Sequence, residues 1–161
     1  MSDSRNMLLA AASAAVLFAG AATASAADPT VVTLTQVGCQ FLESENGVDH
    51  NYKPKSEEDC NRINADTRAE RLAKAKTIEL KPGKYVFRVT NKNVPYELGF
   101  WLRDSDYQPG NPLHKLTKTS VSGGGLTTGV SRDYEVDLKP GEYLYSCPLN
   151  PTPDYKLVVK G

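Results

Sequence analysis

Two copies of one turn, LKPGKY (Leu80–Tyr85) and LKPGEY (Leu138–Tyr143), each interrupt a run of period-two alternation. Together they confine this chain to β-structure. Proline presets φ and removes a backbone donor, and the glycine after it accepts the conformations a tight reversal needs, so each Pro-Gly pair ends one strand and starts another. In TIELKPGKYVFRVTN, Tyr85, Phe87 and Val89 share one face, while Val86, Arg88 and Thr90 share the other. In RDYEVDLKPGEYLYSC, Tyr134, Val136 and Leu138 fall in phase before the turn, and Tyr143, Tyr145 and Cys147 after it. Each reads as strand, turn, strand. The echo is the same turn chemistry used in two hairpins of one sandwich, not an internal repeat.

The rest of the alternation agrees. TVVTLTQV (Thr30–Val37) is β-branched and predicts a first strand, YELGFWLRD places Tyr96, Leu98, Phe100 and Leu102 on one face, and YKLVVKG closes with Leu157 and Val159 inward. One helix interrupts the strands. Ser56 with Asp59 three residues on, and acids at 57–59, form a helix start, so the spacing predicts a helix from Glu57 to Ala75 with Cys60 near its beginning. Its expected packing face is the narrow stripe Ala65, Ala69, Leu72 and Ala73. The segment Ser105–Gly125 reads as loop, and SGGGLTTG (Ser122–Gly129) as a flexible connection. No lysine or helix start follows it as a phosphate loop requires.

The first residues stand apart. An apolar, small-residue run follows Arg5 and ends in Ala24-Ser25-Ala26, which is the pattern of a secretory signal cleaved after Ala26 or Ala27. We therefore divide the chain into a signal peptide, 1–26, and one domain, 27–161, expected in the periplasm or secreted, without stable membrane insertion after cleavage. Lysine plus arginine equals aspartate plus glutamate at 19 each, so the basic excess of a nucleic-acid binder is missing. In an exported chain the three cysteines resolve into one pair and one thiol, and sequence alone allows three pairings. Cys39–Cys60 is favoured because both flank the irregular segment after the first strand. Closing it would contribute about 3 kcal/mol on chain-entropy grounds. Cys147 is then the free thiol.

VTNKNVPYELGF (Val89–Phe100) and LKPGEYLYSCPLNP (Leu138–Pro151) with the final YKLVV resemble the cupredoxins, in particular small bacterial periplasmic domains similar to the iron-uptake type. The likeness spans Thr30–Gly161 and implies an all-β, Greek-key sandwich with one inserted helix. It also implies four type 1 copper positions: a histidine at Tyr96, the cysteine at Cys147, a second histidine at Asn150 and an axial methionine near Pro153. Only the cysteine is present. Type 1 copper requires two imidazoles and a thiolate, with a weak axial ligand that glutamine or a backbone oxygen can replace. Neither an amide nor a phenol replaces imidazole. The only methionines, Met1 and Met7, precede the domain. The expectation is a degenerate site with no metal and no cofactor. Cys147 is then a small buried hydrophobe, Tyr96 core filling and Asn150 a loop residue. The alternative is copper held by Cys147 with unusual partners such as His114, or a soft metal at His50, Asp49 and Cys60 if the disulfide does not form. No nucleophile–base–acid arrangement is apparent, so the chain is not read as an enzyme. Its partner is an unknown periplasmic protein.

Overall fold

The computed structural model describes residues 28–161; the proposed signal peptide lies outside the described residues. The strands form two sheets. One has the order β2-β1-β4-β7, from β1 (Thr30–Val37), β2 (Gln40–Phe41), β4 (Gly83–Asn91) and β7 (Ser131–Leu138). The other has the order β3-β9-β8-β5-β6, from β3 (Ile78–Leu80), β5 (Leu98–Asp104), β6 (Ser120–Leu126), β8 (Gly141–Ser146) and β9 (Tyr155–Val159). β1 runs parallel to β4, with Thr30 opposite Tyr85, and β3 runs parallel to β9. The fold is a cupredoxin-like β-sandwich with a long helix, α1 (Glu57–Lys74), inserted between β2 and β3, and a six-residue helix, α2 (Pro112–Thr117), between β5 and β6.

The inward alternation expected from sequence is observed. Leu34, Phe87, Val89, Phe100, Leu102, Tyr145 and Leu157 are fully buried. Phe100 is the aromatic centre of this core, within 6.4 Å of the rings of Phe41, Phe87, Tyr134 and Tyr145.

Both Pro-Gly turns depart from the hairpin reading. β3 and β4 lie in different sheets, and so do β7 and β8, so each LKPGxY makes an arch from one layer to the other. The tyrosine explains why the whole hexapeptide recurs. The Tyr85 hydroxyl donates to Lys81 O at 2.8 Å, and the Tyr143 hydroxyl donates to Lys139 O at 2.9 Å. Each ring lies in the core and its hydroxyl ties back across the corner, as in a tyrosine corner. Tyr143→Phe should lower unfolding free energy by about 1–2 kcal/mol, because Lys139 O and N both lose this partner. Urea denaturation checks this; a loss of only a few tenths would leave the corner held by packing alone.

Two further expectations are corrected. SGGGL is not a flexible connection but the edge strand β6, paired with β5. A side chain at Gly123 would meet the Tyr134 ring at 3.0 Å, so glycine there lets the edge strand close over a core tyrosine. The helix spans nearly the predicted residues, but its packing face is not the alanine stripe. Ala65, Ala69, Leu72 and Ala73 are exposed, and the buried residues are Cys60, Asn64 and Arg71. These three also recur at helical spacing, but they dock through a disulfide and hydrogen bonds instead of aliphatic contact.

Candidate functional site

The four positions implied by the resemblance converge at one end of the sandwich, around the loop after β8. Cys147 directly follows β8 and is 1% exposed. Its Sγ accepts the backbone N–H of Gly99 at 3.3 Å and of Asn150 at 3.2 Å. Burial nevertheless dominates, pushing the thiol up to about 11, with the backbone N–H groups of Gly99, Asn150 and Leu149 acting in the opposite direction. At neutral pH Cys147 is a protonated thiol.

Asn150 is the centre of the cluster and not a simple loop residue. It is 0% exposed. Its Oδ1 accepts the N–H of Cys39 at 3.0 Å and the hydroxyl of Tyr96 at 3.2 Å, while Nδ2 donates to Val37 O at 3.0 Å. The predicted Cys39–Cys60 disulfide is present and packs against the same amide, with Cys60 Sγ 3.0 Å from Oδ1. A disulfide sulfur carries no proton, so this is a close contact and not a hydrogen bond. Tyr96 is half-buried just before β5; its hydroxyl also lies 3.4 Å from Ser56 O and 3.8 Å from Cys60 Sγ. Burial, followed by the charges it faces on Cys147, Asp59 and Glu57, pushes this phenol up to about 12. Pro153 is buried, its carbonyl accepting the Thr152 hydroxyl at 3.1 Å. That hydroxyl in turn accepts Cys147 N–H at 3.1 Å.

The frame of this end is fixed by Asn91, at the end of β4. Its Nδ2 reaches Val94 O, Tyr96 O and Leu126 O within 3.2 Å, and its Oδ1 accepts Val94 N–H at 2.9 Å. Gln36, buried on β1, bridges the layers by donating from Nε2 to Gly99 O at 2.8 Å. Its Oε1 is the buried side-chain oxygen among the described residues that lacks a donor.

Neither histidine joins the site. His114 lies in α2, beyond the far end of β5, and its Nδ1 accepts Gln108 N–H at 3.0 Å. Cys147 is at the near end of β5, beside Gly99. His50 is 2.6 Å from Glu45 Oε2, and Cys60 is in the disulfide, so the His50, Asp49 and Cys60 grouping does not form. Among the described residues no cluster of three or more His, Cys, Asp or Glu side chains is arranged to hold a metal ion. Tyr96 and Asn150 do not fit type 1 copper: one is a protonated phenol, the other an amide with oxygen and nitrogen both engaged.

A second polar centre was not foreseen from the sequence. The buried Arg71 guanidinium donates to Glu45 from Nε at 3.0 Å and from Nη2 at 2.7 Å, and also to Cys39 O at 2.8 Å and Asn64 Oδ1 at 2.8 Å. The Tyr155 hydroxyl completes the ring on Glu45. A cleft of about 390 Å³ opens beside this pair, lined partly by His50, Tyr52, Glu70 and Lys74. The detectable signal was the phase of Arg71 with Cys60 and Asn64.

The raised thiol has a pH consequence. The folded protein keeps the Cys147 proton where an unfolded chain loses it, so this contribution is intact below the ordinary thiol range and is lost as pH rises towards 11. It should remove about 3 kcal/mol between roughly pH 8.5 and 11, with buried tyrosines adding to the loss. Urea midpoints measured across this range should fall less steeply for Cys147→Ala than for the parent.

No family model matches the sequence, and no curated protein matches it. Among solved structures the fold is found in the cupredoxin class. Auracyanin B, a cupredoxin, is similar with a TM-score of 0.51 at 12% identity, over 85% of this chain and 94% of that one. At that identity the likeness shows the fold alone.

Proposed function

We propose that this is an exported, non-catalytic cupredoxin-fold protein that binds a protein partner, and that a hydrogen-bonded structural cluster stands where type 1 copper would be held. The single observation that carries the reading of the copper position is that Asn150 Oδ1 accepts from both Cys39 and Tyr96 while its Nδ2 donates to Val37 O. An amide with all these bonds made, pressed against a disulfide, has no vacant lone pair or room to turn towards a metal. Protein given Cu(II) should show no intense thiolate-to-copper absorption band and should retain one free thiol per chain. A blue product would overturn the proposal.

One feature favours a second reading, metal handling through Cys147. Its sulfur already accepts two backbone N–H groups, an arrangement that stabilises a thiolate. Gln36, with an unpaired amide oxygen, is hydrogen-bonded to the same Gly99. Stoichiometric copper uptake abolished by Cys147→Ser would select this reading; uptake unchanged in that variant would remove it.

A further inference from the structure

We propose that the first turns of α1 form a disulfide-latched cover over the Tyr96–Asn150–Cys147 end, released when a dithiol reduces Cys39–Cys60. Three independent features lead to this. First, α1 has 18 residues but buries only Cys60, Asn64 and Arg71. No buried aliphatic side chain of the helix holds it to the sandwich, so its docking depends on a few polar and covalent ties. Second, those ties are segregated along the helix. Arg71 fixes the distal part through Glu45 and Cys39 O, and Asn64 reaches Pro151 O at 2.5 Å. The proximal turn is held by the disulfide. Third, the proximal turn is what covers the site: Ser56 O and Cys60 Sγ face the Tyr96 hydroxyl, and Cys60 Sγ also abuts Asn150 Oδ1. Cys147 lies one layer beneath, bonded to the Asn150 N–H.

The helix is also built to move as a unit. Asp59 accepts the N–H of Lys55 at 2.7 Å and of Ser56 at 3.2 Å, closing a capping box, and Glu57 and Glu58 complement the helix dipole. The first turn is therefore stable as helix and, apart from the disulfide, has few ties to what it covers. Local opening is concentrated in elements with few buried apolar contacts, and opening here gives a dithiol access to the buried disulfide.

The exchange balances. A thiolate of the reductant attacks one sulfur of Cys39–Cys60, breaking the S–S bond and forming a mixed disulfide; the reductant's second thiol then displaces it. The reductant leaves as a disulfide, having given up two electrons and two protons, and Cys39 and Cys60 are left as thiols. The constraint on the proximal turn is removed and Cys147 becomes accessible.

The test is dithiothreitol treatment of the folded, oxidised protein without denaturant, followed by pulsed alkylation with N-ethylmaleimide and amide hydrogen exchange. Alkylation of Cys147 should accelerate about a hundredfold, the scale on which losing a disulfide shifts a local opening equilibrium. Exchange should rise over residues 57–63 while β4 and β7 stay protected. Cys39→Ser/Cys60→Ser should show the same pattern with no reductant. The proposal is overturned if Cys147 stays protected after Cys39 and Cys60 have both been alkylated. It is equally overturned if β4 and β7 lose protection together with α1, in the reduced protein or the double variant, or if reduction requires denaturant.

Discussion

Arg71→Ala should cost about 3–5 kcal/mol of unfolding free energy, the range for removing one partner of a buried ion pair. Glu45 would remain buried, keeping the Tyr155 hydroxyl and the His50 ring but losing the guanidinium bonded to both of its oxygens. Cys39 O and Asn64 Oδ1 would lose a donor in the same step. The loss should be far larger than for Arg88→Ala, whose partner Asp133 lies across the exposed face of β4 and β7. An exposed pair of that kind contributes about 0–1 kcal/mol. Urea denaturation of the two variants side by side is the measurement. Similar losses in both would mean that the Glu45–Arg71 pair is solvated and contributes little. Arg71→Met with Glu45→Gln is a useful companion, since replacing both charges should recover part of the loss.

Asn150→Ala should lower stability by about 2–4 kcal/mol, because it leaves Cys39 N–H and Val37 O unpaired where water cannot replace the amide. Asn150→Asp should not rescue it. The carboxylate could accept from Cys39 N–H and Tyr96, but it has no hydrogen to offer Val37 O and brings a buried charge beside a disulfide. A near-neutral Asn150→Ala, with no change in urea midpoint, would contradict a structural role and would leave the side chain available for a ligand.

Most of the frame was legible in the sequence because period-two alternation reports directly on burial in a two-layer sandwich. β1 occupies the predicted residues, and Tyr85, Phe87, Val89, Tyr143, Tyr145 and Leu157 face the core as expected. Sheet membership was not legible. LKPGxY specifies a reversal, and local chemistry does not say whether the next strand pairs with the last one or crosses to the other layer. The strand β6 was missed because three glycines lack the side chains whose alternation reveals a strand. The helix was recognised by its caps, yet its docking face was misjudged because apolar periodicity cannot show a helix attached by sulfur, amide and guanidinium groups. At the site, the convergence of Tyr96, Cys147 and Asn150 followed from the resemblance. The disulfide was expected from cysteine pairing, but its contact with Asn150 depends on where β1 ends relative to the loop after β8, and no local pattern contains that.

The disulfide also bears on how quickly the chain can find its fold. Pairing β1 in parallel with β4 brings Gln36 beside Asn91, before any short-range contact can assist it. The cross-link, with its sequence separation of 21, removes that length from the path between them. Loop-closure entropy rises only with the logarithm of length, so shortening the path from about 55 to about 34 residues gains roughly 0.4 kcal/mol, about a twofold faster search. Refolding of the oxidised and reduced chains should thus differ little in rate. Oxidation acts chiefly on how the finished molecule opens, and hardly at all on how fast it assembles.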